Sequence, residues 1–287
     1  MTDNRSIALV TGSEMAKPDP ESHLLVKALA DLGIAAELLS WRAEVDWSVY
    51  PLVVIRTPWD YFRHLDEFLA WARSVEAVTR VVNPPALIEW NSHKRYLRDL
   101  AAQGVPTIPT LWLAQGSANS VGKLLAQDWE TVVVKPAVSI GAIGAMRAKA
   151  IDTPLQRHLQ ELVAAGDVMA QPYIESIAES GELSLIYFGG QFSHAIRKRP
   201  QPGDYRVQDM YGGRNERDEP CAAARALGDL VLESLPLATA YARVDMVLYA
   251  GNWCLMEVEL VEPELFFPLA EGSAEAFAEE IRRLLDL

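Results

Sequence analysis

The residues best suited to chemistry lie near the C-terminal end of the chain, which reads Arg243-Val-Asp245 and, after eleven further residues, Glu257-Val-Glu259. Both stretches lie in predicted β-strands, and side chains two positions apart on a strand point to the same face. Pairing of the two strands can therefore bring one cation and three carboxylates together. Such a cluster is costly to bury unless a hard cation neutralises it, and Mg²⁺ bound by carboxylates and substrate phosphates meets that need. The alternative is an exposed sheet face of alternating charge.

A lysine followed by a glycine-rich loop is a second candidate feature. Lys135 ends an apolar run, and the loop 139–147 that follows contains Gly141 and Gly144. Small residues let the backbone approach a ligand closely, and free backbone amides can hold phosphate oxygens. This combination favours binding of the α- and β-phosphates of a nucleotide. The alternative for Lys135 is a strand edge from which the ammonium reaches solvent.

Two further segments could contact a nucleotide. The predicted strand 168–173 is interrupted by Pro172, and its backbone could offer a carbonyl and an amide to adenine, with Glu182 reaching a ribose hydroxyl. A linker strand between subdomains fits these residues equally well. Another strand ends in the three cations Arg197-Lys198-Arg199. Such clusters are most often solvated, but in so acidic a chain Lys198 could reach a terminal phosphate.

The composition is that of an ordinary soluble globular protein. The chain has 287 residues, a net charge of −13 and a pI near 4.9, which argues against binding to a nucleic-acid backbone. Two cysteines, Cys221 and Cys254, provide neither a disulfide framework nor a metal-ligand spacing. The apolar run Ile7–Thr11 is too short for a signal peptide, and no stretch approaches a membrane span. We therefore expect a cytoplasmic protein of two or three subdomains, with no nucleic-acid or membrane partner.

The N-terminal residues 1–90 alternate apolar runs with helical periodicity, which predicts a doubly wound parallel sheet. No Gly-x-Gly-x-x-Gly motif follows the first strand, so a dinucleotide-binding fold is not expected. Ligands gather beyond the carboxyl ends of parallel strands, which places Ser13–Pro20 and Arg56–Tyr61 at a potential site. The predicted strands are Ile7–Thr11, Ala35–Leu39, Leu52–Arg56 and Arg80–Val82, and the predicted helices are Glu21–Leu32 and Leu65–Val75.

The rest of the chain is predicted to form a connecting helix and two further units. Residues 91–110 contain one helix, with Asn91 as its N-cap and Gly104 as its stop. Residues 111–174 form an α+β unit, and residues 175–287 form a unit of antiparallel strands in which Pro200–Pro220 is a surface loop. The predicted strands are Leu111–Ala114, Thr131–Lys135, Val168–Tyr173, Glu182–Tyr187, Gln191–Arg197, Tyr241–Tyr249 and Trp253–Leu260. The predicted helices are Asn91–Gln103, Val121–Gln127, Leu155–Ala165, Ala222–Ser234 and Ala274–Asp286.

The order and spacing of these motifs resemble the ATP-grasp superfamily, whose members include D-alanine–D-alanine ligase and glutathione synthetase. The resemblance covers residues 90–268, and it implies a pre-ATP-grasp domain at 1–90, a lid subdomain at 111–174 and a catalytic subdomain at 175–287. It also implies ATP and one or two Mg²⁺ ions as cofactors, with Mn²⁺ as an alternative metal. The motifs that carry it are Lys94, Lys135, the 139–147 loop, the 171–174 segment, Lys198, Arg243-Val-Asp245 and Glu257-Val-Glu259.

The resemblance implies a role for each matched position. Arg243 and Lys198 match catalytic cations near the transferred phosphoryl group. Asp245, Glu257 and Glu259 match metal ligands, although the family usually has Asn at the last position, so that Glu259 adds a negative charge and bears on the metal preference. The implied nucleotide contacts are Lys94 and Lys135 with the α- and β-phosphates, Ser139, Gly141 and Gly144 in the lid loop, Gln171, Pro172, Tyr173 and Ile174 at the adenine, Glu182, Lys198 and Met256.

Longer stretches resemble a subgroup of small ATP-grasp proteins that includes the cyclo-ligase of cycloserine biosynthesis, which closes O-ureido-D-serine into a ring. They lie at 56–61, 83–94 and 257–266. The implied chemistry is ATP-dependent formation of an acylphosphate, which a nitrogen nucleophile then captures. The alternatives are an intermolecular amino acid or dipeptide ligase and a non-catalytic nucleotide-binding protein. Arg243 and the nearby carboxylates argue against the second alternative, because binding alone does not need them.

Four residues are candidates for binding an amino-acid-like substrate. Arg56 follows a strand that we expect to be buried, and a guanidinium can hold a carboxylate through two parallel hydrogen bonds. Asp60, Glu262 or Glu264 could take a substrate ammonium. The alternative is that the aromatic residues flanking Asp60 only pack the domain interface. The sequence is compatible with a homodimer.

Overall fold

The computed structural model describes residues 6–12 and 19–286, and its first unit is a parallel sheet, as predicted. The strand order is β2-β1-β3-β4, with β3 buried along its whole length. Asp19 caps the first helix, because its carboxylate accepts a hydrogen bond from the amide of Glu21 at 3.0 Å. The elements are β1 (Ile7–Thr11), α1 (Pro20–Asp31), β2 (Ala36–Ser40), β3 (Leu52–Thr57), α2 (Leu65–Glu76) and β4 (Arg80–Val82).

The connecting segment holds two short helices, α3 (Pro85–Ser92) and α4 (Tyr96–Ala102), so the prediction of one helix with Asn91 as N-cap was wrong. Asn91 lies inside α3, where its side chain donates to the carbonyl of Val258 at 2.8 Å and accepts from the amide of Leu260 at 2.9 Å. The break between the helices releases Lys94 from helical geometry, and its amide donates to Ala137 in the second unit at 2.9 Å.

The second unit is a small antiparallel sheet of order β5-β8-β6-β7 with two helices packed on it. Strand β7 was not predicted, because its residues alternate between half-buried and exposed positions and two of them are cations, Arg147 and Lys149. Because β7 pairs with β6, the glycine-rich loop connects the two strands of a hairpin. The elements are β5 (Leu111–Leu113), α5 (Ser120–Leu125), β6 (Thr131–Pro136), β7 (Met146–Lys149), α6 (Thr153–Ala165) and β8 (Val168–Pro172).

The third unit is an antiparallel sheet of order β11-β10-β9-β12-β13. Its strand β11 lies within Pro200–Pro220, so the prediction of a loop throughout that segment was wrong; the strand is an edge strand made of polar residues only. The elements are α7 (Ser176–Ser180), β9 (Glu182–Phe188), β10 (Gln191–Arg199), β11 (Arg214–Asp218), α8 (Ala222–Glu233), β12 (Tyr241–Tyr249), β13 (Asn252–Glu259) and α9 (Ser273–Leu285).

A tight turn joins β12 to β13, and a β-bulge between Asp245 and Met246 then shifts the register, so that Asp245 pairs with Glu257 in the part of the hairpin that carries the candidate chemistry. Tyr249 pairs with Asn252, which leaves Ala250 and Gly251 as a two-residue loop, and both have positive φ, at 49° and 80°. Two central residues with positive φ are characteristic of the tight turn whose twist matches paired strands. The predicted hairpin is thereby confirmed.

The first and third units share a hydrophobic core. Leu9 and Leu52 belong to the same buried cluster as Tyr241 and Phe277, and α1 packs against α9. Asn83 joins the same units through hydrogen bonds to the carbonyls of Tyr241 and Leu260, at 3.0 and 2.8 Å. Most of the core of the second unit comes from its own elements, but Met169 of β8 is buried in a cluster with residues of the third unit. Across the described ranges, no helix is long and apolar enough to cross a bilayer.

Candidate active site

A cavity of about 610 Å³ lies where the three units meet. Its walls are the face of the β12–β13 hairpin, the end of β6 with the glycine-rich loop, the end of β8, and part of the first unit. Most of the predicted site residues line it, although they are spread over the sequence. They are Lys94, Lys135, Ser139, Gly141, Gln171, Pro172, Tyr173, Ile174, Glu182, Lys198, Arg243, Asp245, Met256, Glu257, Glu259, Glu262 and Glu264.

The hairpin places its charged residues directly opposite one another. Arg243 pairs with Glu259 and Asp245 pairs with Glu257 in the strand register, and opposite residues of antiparallel strands share a face. The guanidinium of Arg243 donates to both carboxylate oxygens of Asp245, with Nη2 at 2.9 Å from Oδ2, and it also contacts the carboxylate of Glu259. Nη1 of Arg243 donates to the carbonyl of Glu264 at 3.2 Å. The cluster predicted from residue spacing is therefore present.

Asp245 is the most heavily bonded carboxylate of the cluster. Lys198 donates to its Oδ2 at 3.0 Å, and the Ser184 hydroxyl donates to its Oδ1 at 2.6 Å. Burial opposes ionisation, but Arg243 and Lys198 outweigh it and hold the pKa of Asp245 well below its ordinary value. Lys198 also contacts Glu182, whose pKa is raised by burial and by the charge of Asp245.

Lys94 joins the hairpin to the glycine-rich loop. Its ammonium lies 2.8 Å from a carboxylate oxygen of Glu257 and donates to the carbonyl of Ser139, also at 2.8 Å. Burial disfavours the charged form of Lys94, but Glu257 and its carboxylate neighbours more than compensate and raise the pKa. The pKa of Glu257 is correspondingly lowered, since Lys94 and Lys135 outweigh the effect of burial.

Lys135 differs from the other cations of the cavity. Its side chain is only partly exposed, and within the described ranges its ammonium forms no hydrogen bond or ion pair. Burial lowers its pKa, because the charged form loses hydration without gaining a direct partner. A cation in this condition attracts an anionic ligand.

Comparison with known proteins identifies the family. The N-terminal domain of D-cycloserine synthetase DcsG matches residues 7–83, and the ATP-grasp domain of prokaryotic glutathione synthetase matches residues 102–241. The chain is 37% identical over 294 residues to the cycloserine biosynthesis protein DcsG of Streptomyces lavendulae, an alignment that covers 97% of this chain and 98% of that protein. The chain belongs to the DcsG family of ATP-grasp proteins.

Solved structures agree with this assignment. The crystal structure of D-cycloserine synthetase DcsG matches with a TM-score of 0.88 at 33% identity, covering 97% of this chain and 99% of that chain. D-Alanine–D-alanine ligase of Bacillus anthracis matches with a TM-score of 0.72 at 16% identity, covering 98% and 97%, which shows the shared fold. The predicted fold class is confirmed, and this DcsG-family chain is an ATP-dependent ligase that forms C–N bonds.

The glycine-rich loop of this DcsG-family chain contacts a second loop across the cavity. Gly144 does not line the cavity; it has a φ of +77°, and a Cβ there would lie 2.9 Å from Pro136, so it allows the loop to close on β6. The guanidinium of Arg147 lies 4.7 Å from the ring of Tyr173 and 5.3 Å from that of Tyr205. The amide of Tyr173 is already bonded to the carbonyl of Thr131, so it is not free for a ligand.

The structure contradicts the substrate-binding prediction for Arg56. Strand β3 continues past Arg56 and turns its side chain away from the cavity, where it is fully buried beneath the rings of Tyr241, Phe267 and Phe277. Its nearest polar partners are the carbonyl of Pro263 at 3.4 Å and the carboxylate of Glu21 at 3.6 Å. Arg56 therefore belongs to the interface between the first and third units.

Asp60 also lies outside the cavity wall, which contradicts its predicted role. It is buried, and its Oδ1 accepts a hydrogen bond from the indole of Trp41 at 2.9 Å. Its neighbours Trp59 and Tyr61 do line the cavity. Both contact Glu262: the indole of Trp59 donates to its carbonyl at 3.1 Å, and the Tyr61 hydroxyl is hydrogen-bonded to its carboxyl.

The sequence did not predict that the segment 205–210 would line the cavity. The signal that could have found it is the pair Tyr205-Arg206, an aromatic and a cation inside a loop that follows Lys198. Of the predicted ligand segment Ser13–Pro20, residues 13–18 lie outside the described part of the chain. Asp19 lines the cavity, with both of its carboxylate oxygens bonded within the start of α1.

The carboxylates of the hairpin suit Mg²⁺, which prefers oxygen ligands and is often bound together with substrate phosphates. Each of Asp245, Glu257 and Glu259 is bonded to a lysine or an arginine. The residues that the structure covers hold no three His, Cys, Asp or Glu side chains already arranged around a metal position. The donor set therefore fits a metal that arrives with phosphates, because the phosphates give the lysines and the arginine new partners. ATP and Mg²⁺ are the cofactors general to the superfamily.

Proposed function

We propose that this chain closes a ring within a small amino-acid-derived substrate, by joining its carboxylate to a nitrogen of the same molecule at the expense of ATP. The observation that carries the proposal is the cavity itself, in which five cations and the hairpin carboxylates converge from the connecting segment, the second unit and the third unit. The overall identity to a cycloserine biosynthesis protein supports cyclisation as the specific outcome. The test substrate that follows is O-ureido-D-serine.

The cations of the cavity are suited to the phosphates of ATP. Lys135 has no direct partner among the residues that the structure describes, and Lys94 reaches both the hairpin and the glycine-rich loop that would cover the phosphates. Lys198 and Arg243 lie beside Asp245, where they can stabilise the charge of the phosphoryl group being transferred. The adenine would lie along 171–174, with Met256 nearby and Glu182 at the ribose.

Asp245, Glu257 and Glu259 would hold Mg²⁺ against the phosphates. The metal, when bound, neutralises charge on the phosphate oxygens and aligns them. The chain itself supplies the geometry: Ser184 and Lys198 fix the Asp245 carboxylate, while Arg243 lies between two of the three carboxylates. Burial and the charges of Asp245 and Glu257 raise the pKa of Glu259 to about 7, despite the opposing effect of Arg243.

The reaction has two balanced steps. A substrate carboxylate oxygen attacks the γ-phosphorus, the bond from that phosphorus to the bridging oxygen breaks, and ADP leaves. The substrate nitrogen then attacks the acyl carbon of the acylphosphate, inorganic phosphate leaves, and the nitrogen gives up a proton. No protein nucleophile is needed, so the residues act by positioning and by charge stabilisation. The acylphosphate must be kept from water, which the glycine-rich loop and the 205–210 segment are placed to do.

The test is ADP formation by the purified enzyme with ATP, Mg²⁺ and a panel that contains O-ureido-D-serine, D-serine and D-alanine, with products identified by mass. Cyclisation gives a product from one substrate molecule, and intermolecular ligation gives a dimeric product. Asp245→Asn and Glu257→Gln should each lower turnover at least about 100-fold. The matched control is Glu216→Gln, an exposed carboxylate on β11 paired with Arg199, which should keep full activity. Unchanged turnover in both site variants would refute the assignment.

A further inference from the structure

We infer that Glu262, oriented by Tyr61, is the binding site for a cationic amine of the substrate, so that the enzyme selects carboxylic acids that also bear an ammonium group. This inference rests on the proposed function and specifies its substrate class. It selects Glu262 among the sequence candidates for ammonium binding and assigns a positioning role to a tyrosine of the first unit.

Glu262 differs from the other carboxylates of the cavity in its partners. Glu257 is paired with Lys94, Glu259 with Arg243, and both Asp245 and Glu182 with Lys198. Glu262 is only 8% exposed, lines the cavity and forms no ion pair with any residue in the described ranges.

The surroundings of Glu262 favour the arrival of a positive charge. Burial and the neighbouring charges of Glu259 and Glu257 raise the pKa of Glu262 to about 8, because they outweigh the opposing charge of Lys94, with which Glu262 forms no ion pair. An ammonium group supplies such an ion pair. The same effects show that Glu262 lies close to the hairpin cluster, so one small molecule can reach both.

Tyr61 holds the Glu262 side chain in place. The Tyr61 hydroxyl is hydrogen-bonded to the carboxyl, and the ring packs against Phe68 with a centroid distance of 5.0 Å. Trp59 bonds to the backbone of the same glutamate at 3.1 Å. Two neighbouring side chains of the first unit thus fix both the main chain and the side chain of Glu262.

Aromatic rings complete the surroundings of the carboxyl. Trp59, Tyr61 and Phe266 line the cavity, the first two in contact with Glu262, and ring faces attract ammonium groups. Of the cations proposed to bind phosphates, Lys135 and Lys198 belong to other elements, β6 and β10, and Lys94, whose charge also acts on Glu262, is paired with Glu257. The cavity therefore offers separate partners to the anionic nucleotide and to a cationic amine.

The test compares amino acids with counterparts that lack the amine. O-Ureido-D-serine, D-serine and D-alanine are each assayed beside the des-amino acid, with ADP formation as the readout for the wild type, Glu262→Gln and Tyr61→Phe. Tyr50→Phe is the matched control, because Tyr50 forms the same kind of hydrogen bond to Glu37, at 3.0 Å, and does not line the cavity.

For the wild type we expect kcat/KM at least about 100-fold higher for the accepted amino acid than for its des-amino counterpart. Glu262→Gln should remove most of this preference without changing the KM for ATP. Tyr61→Phe should raise the KM for the amino acid about tenfold at an unchanged kcat and leave the des-amino acid unaffected. Tyr50→Phe should match the wild type.

Three outcomes overturn the inference. If the wild-type enzyme accepts the des-amino acid as well as the amino acid, the inference about Glu262 is wrong and the proposed ligase function still stands. Equal losses on both substrates in Glu262→Gln and Tyr61→Phe indicate a structural role only. If no acid in the panel elicits ADP, the proposed function fails first and the inference fails with it.

Discussion

Replacing Lys135 with methionine should stabilise the protein while weakening its binding of ATP. Lys135 is a partly buried cation without a direct partner in the described structure, and burial lowers its pKa. A buried charged group that lacks a partner costs free energy, and methionine keeps the length and the apolar stem of the side chain. We expect the free energy of unfolding without ligands to rise by about 1–2 kcal/mol.

The same substitution should weaken ATP binding about 10- to 100-fold, because one charge-assisted contact to a phosphate is lost. Urea unfolding measures the stability, and isothermal titration with a non-hydrolysable ATP analogue and Mg²⁺ measures the affinity. Lys149→Met is the matched control: Lys149 lies on the neighbouring strand β7, and its ammonium is exposed and paired with Glu130. It should change neither quantity by much.

The opposite signs make this prediction easy to refute. A Lys135→Met variant that is less stable than the wild type would show that the ammonium has a favourable role in the free protein. An unchanged affinity for the ATP analogue would show that Lys135 does not contact the nucleotide.

Three other predictions concern the interface, the loop and the buried acid. Asn83→Ala should lower the free energy of unfolding by about 3 kcal/mol, measured with urea, since it removes three buried hydrogen bonds between the first and third units; an effect within error would contradict this. Backbone amides of 139–147 should exchange hydrogen more slowly when the ATP analogue is present, whereas those of α9 should not change, and equal exchange in both states would count against a lid. Because the pKa of Glu262 is raised from 4.5 to about 8, the folded state binds this proton more tightly than the unfolded state does, and stability should fall as pH rises through that range. Glu262→Gln should therefore gain about 3 kcal/mol relative to the wild type between about pH 5 and about pH 8, and a constant difference would contradict the shift.

Sequence reasoning succeeded where a short repeat determines geometry. The spacing of Arg243 and Asp245, and of Glu257 and Glu259, placed each pair on one face of a strand, whereas the β-bulge between Asp245 and Met246 that sets Asp245 opposite Glu257 was not predicted. The spacing relations are local, so they could be derived without the tertiary fold. The parallel sheet was predictable for the same reason, since its strands and helices alternate with clear apolar periodicity.

The errors came from contacts between distant segments. Asn91 has the residue type of a helix cap, but tertiary hydrogen bonds to the backbone near Val258 decide its place. Arg56 ends an apolar run as a ligand-binding residue would, yet the aromatic rings that cover it come from the C-terminal unit. Strand β11 has no apolar face because it is an edge strand, so no periodicity marks it.

The amides of Asn83 and Asn91 have a mechanical consequence for catalysis. Both side chains form hydrogen bonds with the main chain of the third unit, at Tyr241, Val258 and Leu260. The first and third units also share one hydrophobic core. These two units therefore act as a single frame, against which the second unit packs through Met169 of β8 and Trp112 of β5. Because the asparagines hold carbonyls and amides of the backbone, the side chains of the hairpin can vary without loosening that frame.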